Sequence, residues 1–224
     1  MARILLIETS TAKLSVALEE DGIVKASRSC EEARQQASLT APYVKEVLDA
    51  QGIKVKDCDA ICIGKGPGSY TGLRVGVSTA KGLAFGANKP LIAIGTLDIL
   101  AAAAPGEASF IVPMIDARRM EVYTAVFSPE GKQITPVEAK VVDATSFSPY
   151  LDQGPVLFIG DGALKCREVI THPNARFLQA WPEAAAMAQL AEQAYKEKRF
   201  EDMAYFEPFY LKDFVATVSR KNLF

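Results

Sequence analysis

Apolar and polar positions along this chain follow two rhythms in turn. Arg3-Ile-Leu-Leu-Ile-Glu-Thr-Ser10 opens with a continuous apolar run, which predicts a buried strand. A polar turn from Thr9 to Lys13 follows, and Leu14 to Leu18 alternates as a second strand. Glu20-Asp21-Gly22 predicts a hairpin turn, and Ile23 to Ser29 a third strand. From 34 to 51 the period becomes helical, with Ala37, Ala41, Val44 and Leu48 on one stripe. Pro42 falls inside this stretch, where it kinks a helix or marks its first turn, and Gly52 is a stop. Asp59 to Gly64 predicts a short buried strand that enters a Gly-rich loop, Gly64 to Gly72, and then a helix to about Ala87. Leu91 to Ile94 is a further strand, and Thr96 is expected to cap a helix reaching the Ala tract at 101–104.

Pro105-Gly106 breaks the pattern and divides the chain into lobes at 1–104 and 105–224. The second half then begins as the first did. Phe110 to Asp116 reads as a strand ending in an acid, followed by a polar turn. Met120 to Phe127 is the returning strand and Pro129-Glu-Gly131 the next turn. Ile4 to Glu8 followed by Leu14 to Leu18 has the same order, so the halves form a weak internal repeat and imply two lobes of related α/β topology. Further on come a strand at Val156 to Ile159, a helix ending near Ile170, and a longer helix from Pro182 to about Lys198. The terminal segment has the option of packing back on the first lobe.

Composition narrows the function. About half of the 224 residues are apolar, enough for a sizeable core. The net charge of −2 is spread over both halves and lacks the basic excess of a protein that grips nucleic acid alone. The four-residue apolar run before Glu8 is too short for a signal peptide core and no spanning segment is visible, so a cytoplasmic location and no membrane association are expected. Cys30, Cys58, Cys62 and Cys166 have no C-x-x-C spacing and read as buried or surface thiols. The one histidine, His172, cannot make a multi-His metal site, and no metal site is expected.

The Gly-rich loop is the strongest local signal. Gly64, Gly66, Gly68 and Gly72 permit sharp turns and close approach, and the helix that follows presents free N–H groups to an anion. Gly66, Gly68, Ser69, Thr71, Arg74 and, from the second lobe, Arg118 are the candidate anion or nucleotide contacts. A tight turn without a ligand remains the alternative. No Gly-Lys-Ser/Thr ends the loop, so it is not a Walker loop, and Ser69 lies outside the Gly-x-Ser-x-Gly register of a hydrolase. Glu8 and Asp116 end corresponding strands, where acids suit a metal and an attacking water. The extra methylene of Glu8 and the lack of a phosphate clamp argue against full ATPase chemistry, and no catalytic residue is assigned. In the following helix Gly72, Gly76 and Ala80 form a narrow stripe that either packs on the lobe's own sheet or receives another subunit.

Ile4-Leu-Leu-Ile-Glu-Thr-Ser-Thr11, Gly66-Pro-Gly-Ser-Tyr-Thr-Gly-Leu-Arg-Val-Gly76, Ala80-Lys-Gly-Leu-Ala84 and Ile115-Asp-Ala-Arg-Arg119 closely resemble the bacterial TsaB family, the B subunits of tRNA threonylcarbamoyladenosine synthase. The resemblance covers essentially the whole chain. It implies a two-lobed actin-like ATPase fold, as in sugar kinases, Hsp70 and actin. It also implies a non-catalytic partner of a paralogous catalytic subunit, which transfers threonylcarbamoyl from its adenylate to the adenosine beside the anticodon. Further implied partners are an associated ATPase subunit and, when alone, a second copy; tRNA contact is mainly indirect. No cofactor is implied for the chain itself, and a nucleotide at the boundary with the catalytic subunit is left open. The partner or dimer surface is then expected on the two first-lobe helices, at Ala37, Ala41, Val44, Leu48, Gly72, Leu73, Gly76, Ala80 and Leu83. Two departures stand out: the family often has Asp where Glu8 stands, and its His-Ser-x-x-Leu-Leu-Pro start reads Gln36-Ala-Ser-Leu-Thr-Ala-Pro42 here. The competing readings are a stand-alone ATP-dependent kinase or a peptidase-like hydrolase, and direct tRNA docking through Lys212, Arg220 and Lys221.

Overall fold

A computed structural model describes residues 2–32 and 34–212. The first half contains β1 (Arg3–Glu8), β2 (Leu14–Glu20), β3 (Ile23–Cys30), α1 (Gln36–Asp49), β4 (Ala60–Gly64), α2 (Tyr70–Ala87), β5 (Leu91–Ile94) and α3 (Thr96–Ala102). The second contains β6 (Phe110–Asp116), β7 (Glu121–Thr124), β8 (Glu138–Val141), α4 (Ser148–Leu151), β9 (Val156–Ile159), β10 (Ala175–Leu178) and α5 (Ala188–Lys196).

The strands form two five-stranded mixed sheets, ordered β3-β2-β1-β4-β5 and β8-β7-β6-β9-β10. In each, the first three strands make an antiparallel meander, and the next two add in parallel on the other side of the first. The second sheet therefore repeats the topology of the first strand for strand, which is the duplicated actin-like ATPase fold. β1 lies at the centre of its sheet and is covered on both faces, which is why it reads as a continuous apolar run rather than an alternating one. Leu5, Ile7, Val16, Leu18, Ile61 and Ile63 face α1 and α2. Ile4, Leu6, Ala17, Cys62 and Ile92 face the other way, against a 3₁₀ turn at Ala184–Met187 and α5. The chain thus passes to the second sheet after α3 and returns to the first near its end. α3 joins the halves by packing Leu97, Leu100 and Ala101 on Ile111, Ile115, Leu157 and Ile159. Among the described residues, no helix is long and apolar enough to cross a membrane.

Several local expectations are corrected. Gly95, not Thr96, occupies the cap position of α3, and the buried Thr96 hydroxyl has no hydrogen-bond partner. The helix expected to reach Ile170 is only a 3₁₀ turn at Leu164–Cys166. The Pro182 helix starts with 3₁₀ geometry and becomes α-helical only at Ala188. β8, β10 and α4 escape sequence reading. Each is four residues long, and β8 and β10 are half-exposed edge strands with little apolar pattern.

Candidate functional site

The Gly-rich loop carries the chain from the end of β4 to the start of α2 and sets that start against the β1–β2 turn. Ser69 caps α2, its Oγ accepting from the Gly72 N–H at 3.3 Å, while its own N–H donates to the Ser10 carbonyl at 2.6 Å. A Cβ on Gly72 would lie 2.1 Å from the Thr9 carbonyl oxygen, and one on Gly76 would lie 2.1 Å from Thr9 Oγ1. The absent side chains admit Thr9, whose hydroxyl donates to the Gly72 carbonyl at 2.8 Å. Gln36 is buried and donates to the Thr11 carbonyl at 2.8 Å, so α1 is tied to the same turn.

These contacts build one wall of a cleft of about 530 Å³ between the lobes. Ser10, Thr11, Gly68, Ser69 and Thr71 line that wall; Asp116, Arg118, Tyr123 and Asp161 line the opposite one. The two acids that end corresponding strands have different fates. Glu8 is fully buried and is not part of the lining. Its Oε1 accepts from the Ser10 N–H at 2.5 Å, and its partnerless Oε2 occupies the space that a side chain on Gly64 would fill. Burial raises its pKa to about 7, against the opposing pull of those hydrogen bonds. Asp116 is exposed in the cleft, ion-paired with Lys165 and accepting from the Arg118 N–H at 2.9 Å. Asp161 accepts from the Asp116 N–H at 2.9 Å, and burial raises its pKa. Arg118 and Arg119 are both left-handed, at φ of +72° and +50°, a strained turn that places Arg118 on the cleft wall. Chemically the cleft suits a polar or anionic occupant near the N-terminus of α2. It does not oppose two free carboxylates across a substrate. Among the described residues no group of three or more His, Cys, Asp or Glu side chains could hold a metal.

Of the candidate anion contacts, Gly68, Ser69, Thr71 and Arg118 converge on the cleft. Gly66 lines an adjoining smaller cavity instead, and Arg74 stacks over the Tyr70 ring at 4.2 Å. His172 stabilises a turn, its Nδ1 accepting from the Asn174 N–H. Cys58, Cys62 and Cys166 are buried free thiols. Lys212 is ion-paired with Glu121; Arg220 and Lys221 lie outside the described residues.

The expected partner surface divides. Val44, Leu48, Gly72, Leu73, Gly76 and Ala80 are buried within their own lobe, and Leu83 is half-buried against the same core. The small-residue stripe is therefore corrected from a docking surface to an internal one: it lets α2 close on Thr9 and β4. Ala37 and Ala41 are exposed, because the first turns of α1 bury the polar Gln36 and Thr40 instead. The outer face of α2 carries a second pair of glycines, Gly82 and Gly86, off the stripe. Gly82 lies two residues past Ala80, about 200° around the helix. Among the described residues nothing lies within 4 Å of a Cβ added at Gly82 or Gly86, and Phe85 between them is 81% exposed. The Gly82-x-x-x-Gly86 spacing was the available signal.

Comparison with known proteins supplies the context. A family model described as TsaD: tRNA N6-adenosine threonylcarbamoyltransferase matches residues 30–220. The tRNA threonylcarbamoyladenosine biosynthesis protein TsaB of Haemophilus influenzae is 31% identical over 221 residues, 94% of this chain and 93% of that protein. The protein of the same name from Escherichia coli is 41% identical over 128 residues, so that this match spans 54% of its length. The solved structure of YeaZ from Pseudomonas aeruginosa aligns with a TM-score of 0.83 at 29% identity, covering 94% of this chain and all of that one.

Proposed function

This chain belongs to the TsaB family of tRNA threonylcarbamoyladenosine biosynthesis proteins, and we propose that it serves that synthesis as a non-catalytic subunit that holds and activates a paralogous transferase. The observation that carries this reading is the fate of the two strand-ending acids: Glu8 is buried away from the cleft, and Asp116 is ion-paired with Lys165. Among the described residues, a cleft so arranged has no carboxylate on its first-lobe wall to work across it with Asp116 and Asp161 in positioning a metal and a nucleophile. The partner surface is the outer side of the two first-lobe helices: Ala37 and Ala41 on α1 and Ser78, Gly82, Phe85 and Gly86 on α2. A large exposed aromatic between two open glycines is a knob beside two shallow holes, which suits close helix approach. The same face serves a second copy when the transferase is absent. An ATPase subunit joins the assembly, and tRNA is held mainly by the other subunits, in keeping with the net charge of −2.

Co-purification of Gly82→Leu with the transferase subunit tests the surface. Binding should weaken at least tenfold, about 1.4 kcal/mol, with the fold of the variant intact by circular dichroism; undiminished binding removes this face from the interface. The alternative, a stand-alone ATP-dependent kinase, draws on the cleft's helix N-terminus and Arg118. Turnover of Mg-ATP by the isolated chain would favour it over the scaffold.

A further inference from the structure

We propose that residues 207–212 are an intramolecular strap that occupies the mouth of the inter-lobe cleft and fastens the two lobes together. This inference is independent of the scaffold reading. The segment leaves the first lobe at Phe206, which packs with Met203 on that lobe's core and whose carbonyl accepts from Lys81 Nζ at 3.0 Å. It then crosses the cleft with anchors on both sides. On the first lobe, the Phe209 N–H donates to the Lys65 carbonyl at 2.7 Å. Gly66 is shaped for this crossing, since a Cβ there would lie 2.8 Å from the Phe209 carbonyl oxygen. The Tyr210 ring lies 4.9 Å from that of Tyr70, on the first turn of α2. On the second lobe, Lys212 is ion-paired with Glu121 at the start of β7.

Phe209 lines both the cleft and the adjoining cavity of about 270 Å³, which Lys65, Asp98 and Gln133 also line. The strap therefore stands between two cavities and at the entrance to the larger one. A molecule entering the cleft beside Tyr70 must pass Tyr210 and Lys212, which line it. The anchors that reach farthest along the strap are a tilted ring pair and a partly exposed ion pair, contacts of the readily reversible kind. The core-packed anchors at Met203 and Phe206 remain when those open, so the strap can release from the cleft while staying on the first lobe.

Hydrogen exchange of the full chain tests this. The reporters are hydrogen-bonded amides beside the strap: Ser69 and Leu73 on the first lobe, Ala117 and Glu121 on the second. Tyr210→Ala combined with Lys212→Ala should speed exchange at both sets by about tenfold or more, while β1 and β4 keep their protection. Lys212→Ala alone should speed exchange only at Ala117 and Glu121. Unchanged exchange at the second-lobe pair in both variants would overturn the proposal, because the segment would then merely decorate the first lobe.

Discussion

The two lobes share one strand order but solve the problem of covering it differently. In the first, long helices lie on one face and the returning α5 on the other, and the buried apolar side chains of the core are aliphatic residues, alanines, cysteines and Met187, with no aromatic ring among them. In the second, the connections that correspond to α1 and α2 shrink to α4 and a 3₁₀ turn. Aromatic rings take up the space: Phe158 packs edge-on against Phe147 at 5.2 Å and stacks on Phe177 at 5.1 Å, and Phe110 meets Tyr150 edge-on at 5.1 Å. A helix brought close by glycines and a sheet face filled by large rings are two routes to a closed core. Only the first leaves a long helix with an outer face free for a partner. That difference explains why the candidate docking surface lies on the first lobe, although both lobes descend to the same cleft.

Four substitutions probe the contrast, from the largest effect to the smallest. Phe158→Ala should cost about 3–5 kcal/mol in denaturant unfolding, because it opens a cavity between two rings. A loss no larger than that of an exposed aromatic would mean that the rings are not what closes the second lobe. Gly72→Ala should cost about 1–3 kcal/mol despite the ~1 kcal/mol that Ala gains over Gly in a helix. The new methyl would meet the Thr9 carbonyl, a backbone atom that cannot swing aside. A neutral or stabilising result would show that α2 has room to move outward.

Third comes Glu8→Gln. The folded-state pKa of about 7 stands above the ordinary glutamate value of 4.5, so between them the folded chain holds a proton that the unfolded chain has lost. The stabilisation associated with that proton is complete below about pH 4.5 and is lost as the pH rises through about 7. Removing the titration should flatten the stability profile over that window and add roughly 1–3 kcal/mol near pH 8. Glu19, also raised to about 7 by burial with Glu192 adding to the effect, keeps a residual slope in the variant. An unaltered profile in pH-dependent melts would mean that Glu8 ionises as freely in the fold as in the open chain. The smallest effect is that of Gly82→Ala. With nothing described near the added methyl, helix propensity alone acts in the monomer, and the chain kept too dilute to self-associate should gain about 0.5–1 kcal/mol. Destabilisation would mean that this face is already covered.

Much of this architecture was legible along the chain. The apolar run of β1, the turn at Asp21-Gly22, the Gly-rich loop and the strand–acid–turn–strand repeat all rest on local periodicity and turn chemistry, which neighbours in sequence decide. The four-residue strands β8 and β10 were not legible, since half-exposed edge strands need no apolar alternation. The site was legible in its parts but not in its assembly. Of the six residues expected as anion contacts, Gly68, Ser69, Thr71 and Arg118 share the cleft while Gly66 and Arg74 do not line it, and Glu8 and Asp116 look equivalent on paper and diverge in space.

Sequence alone determined the doubled α/β topology, the family and the loop that opens α2, because each is written in residues adjacent in the chain. Tertiary structure decided which side of α2 is inside. The stripe Gly72, Gly76 and Ala80 and the pair Gly82 and Gly86 are equally small. The difference is that Thr9 and Ile63 stand against Gly76 while nothing described stands against Gly82 or Gly86. A missing side chain records that close approach is allowed, and only the folded chain says which neighbour, its own or another's, makes use of it.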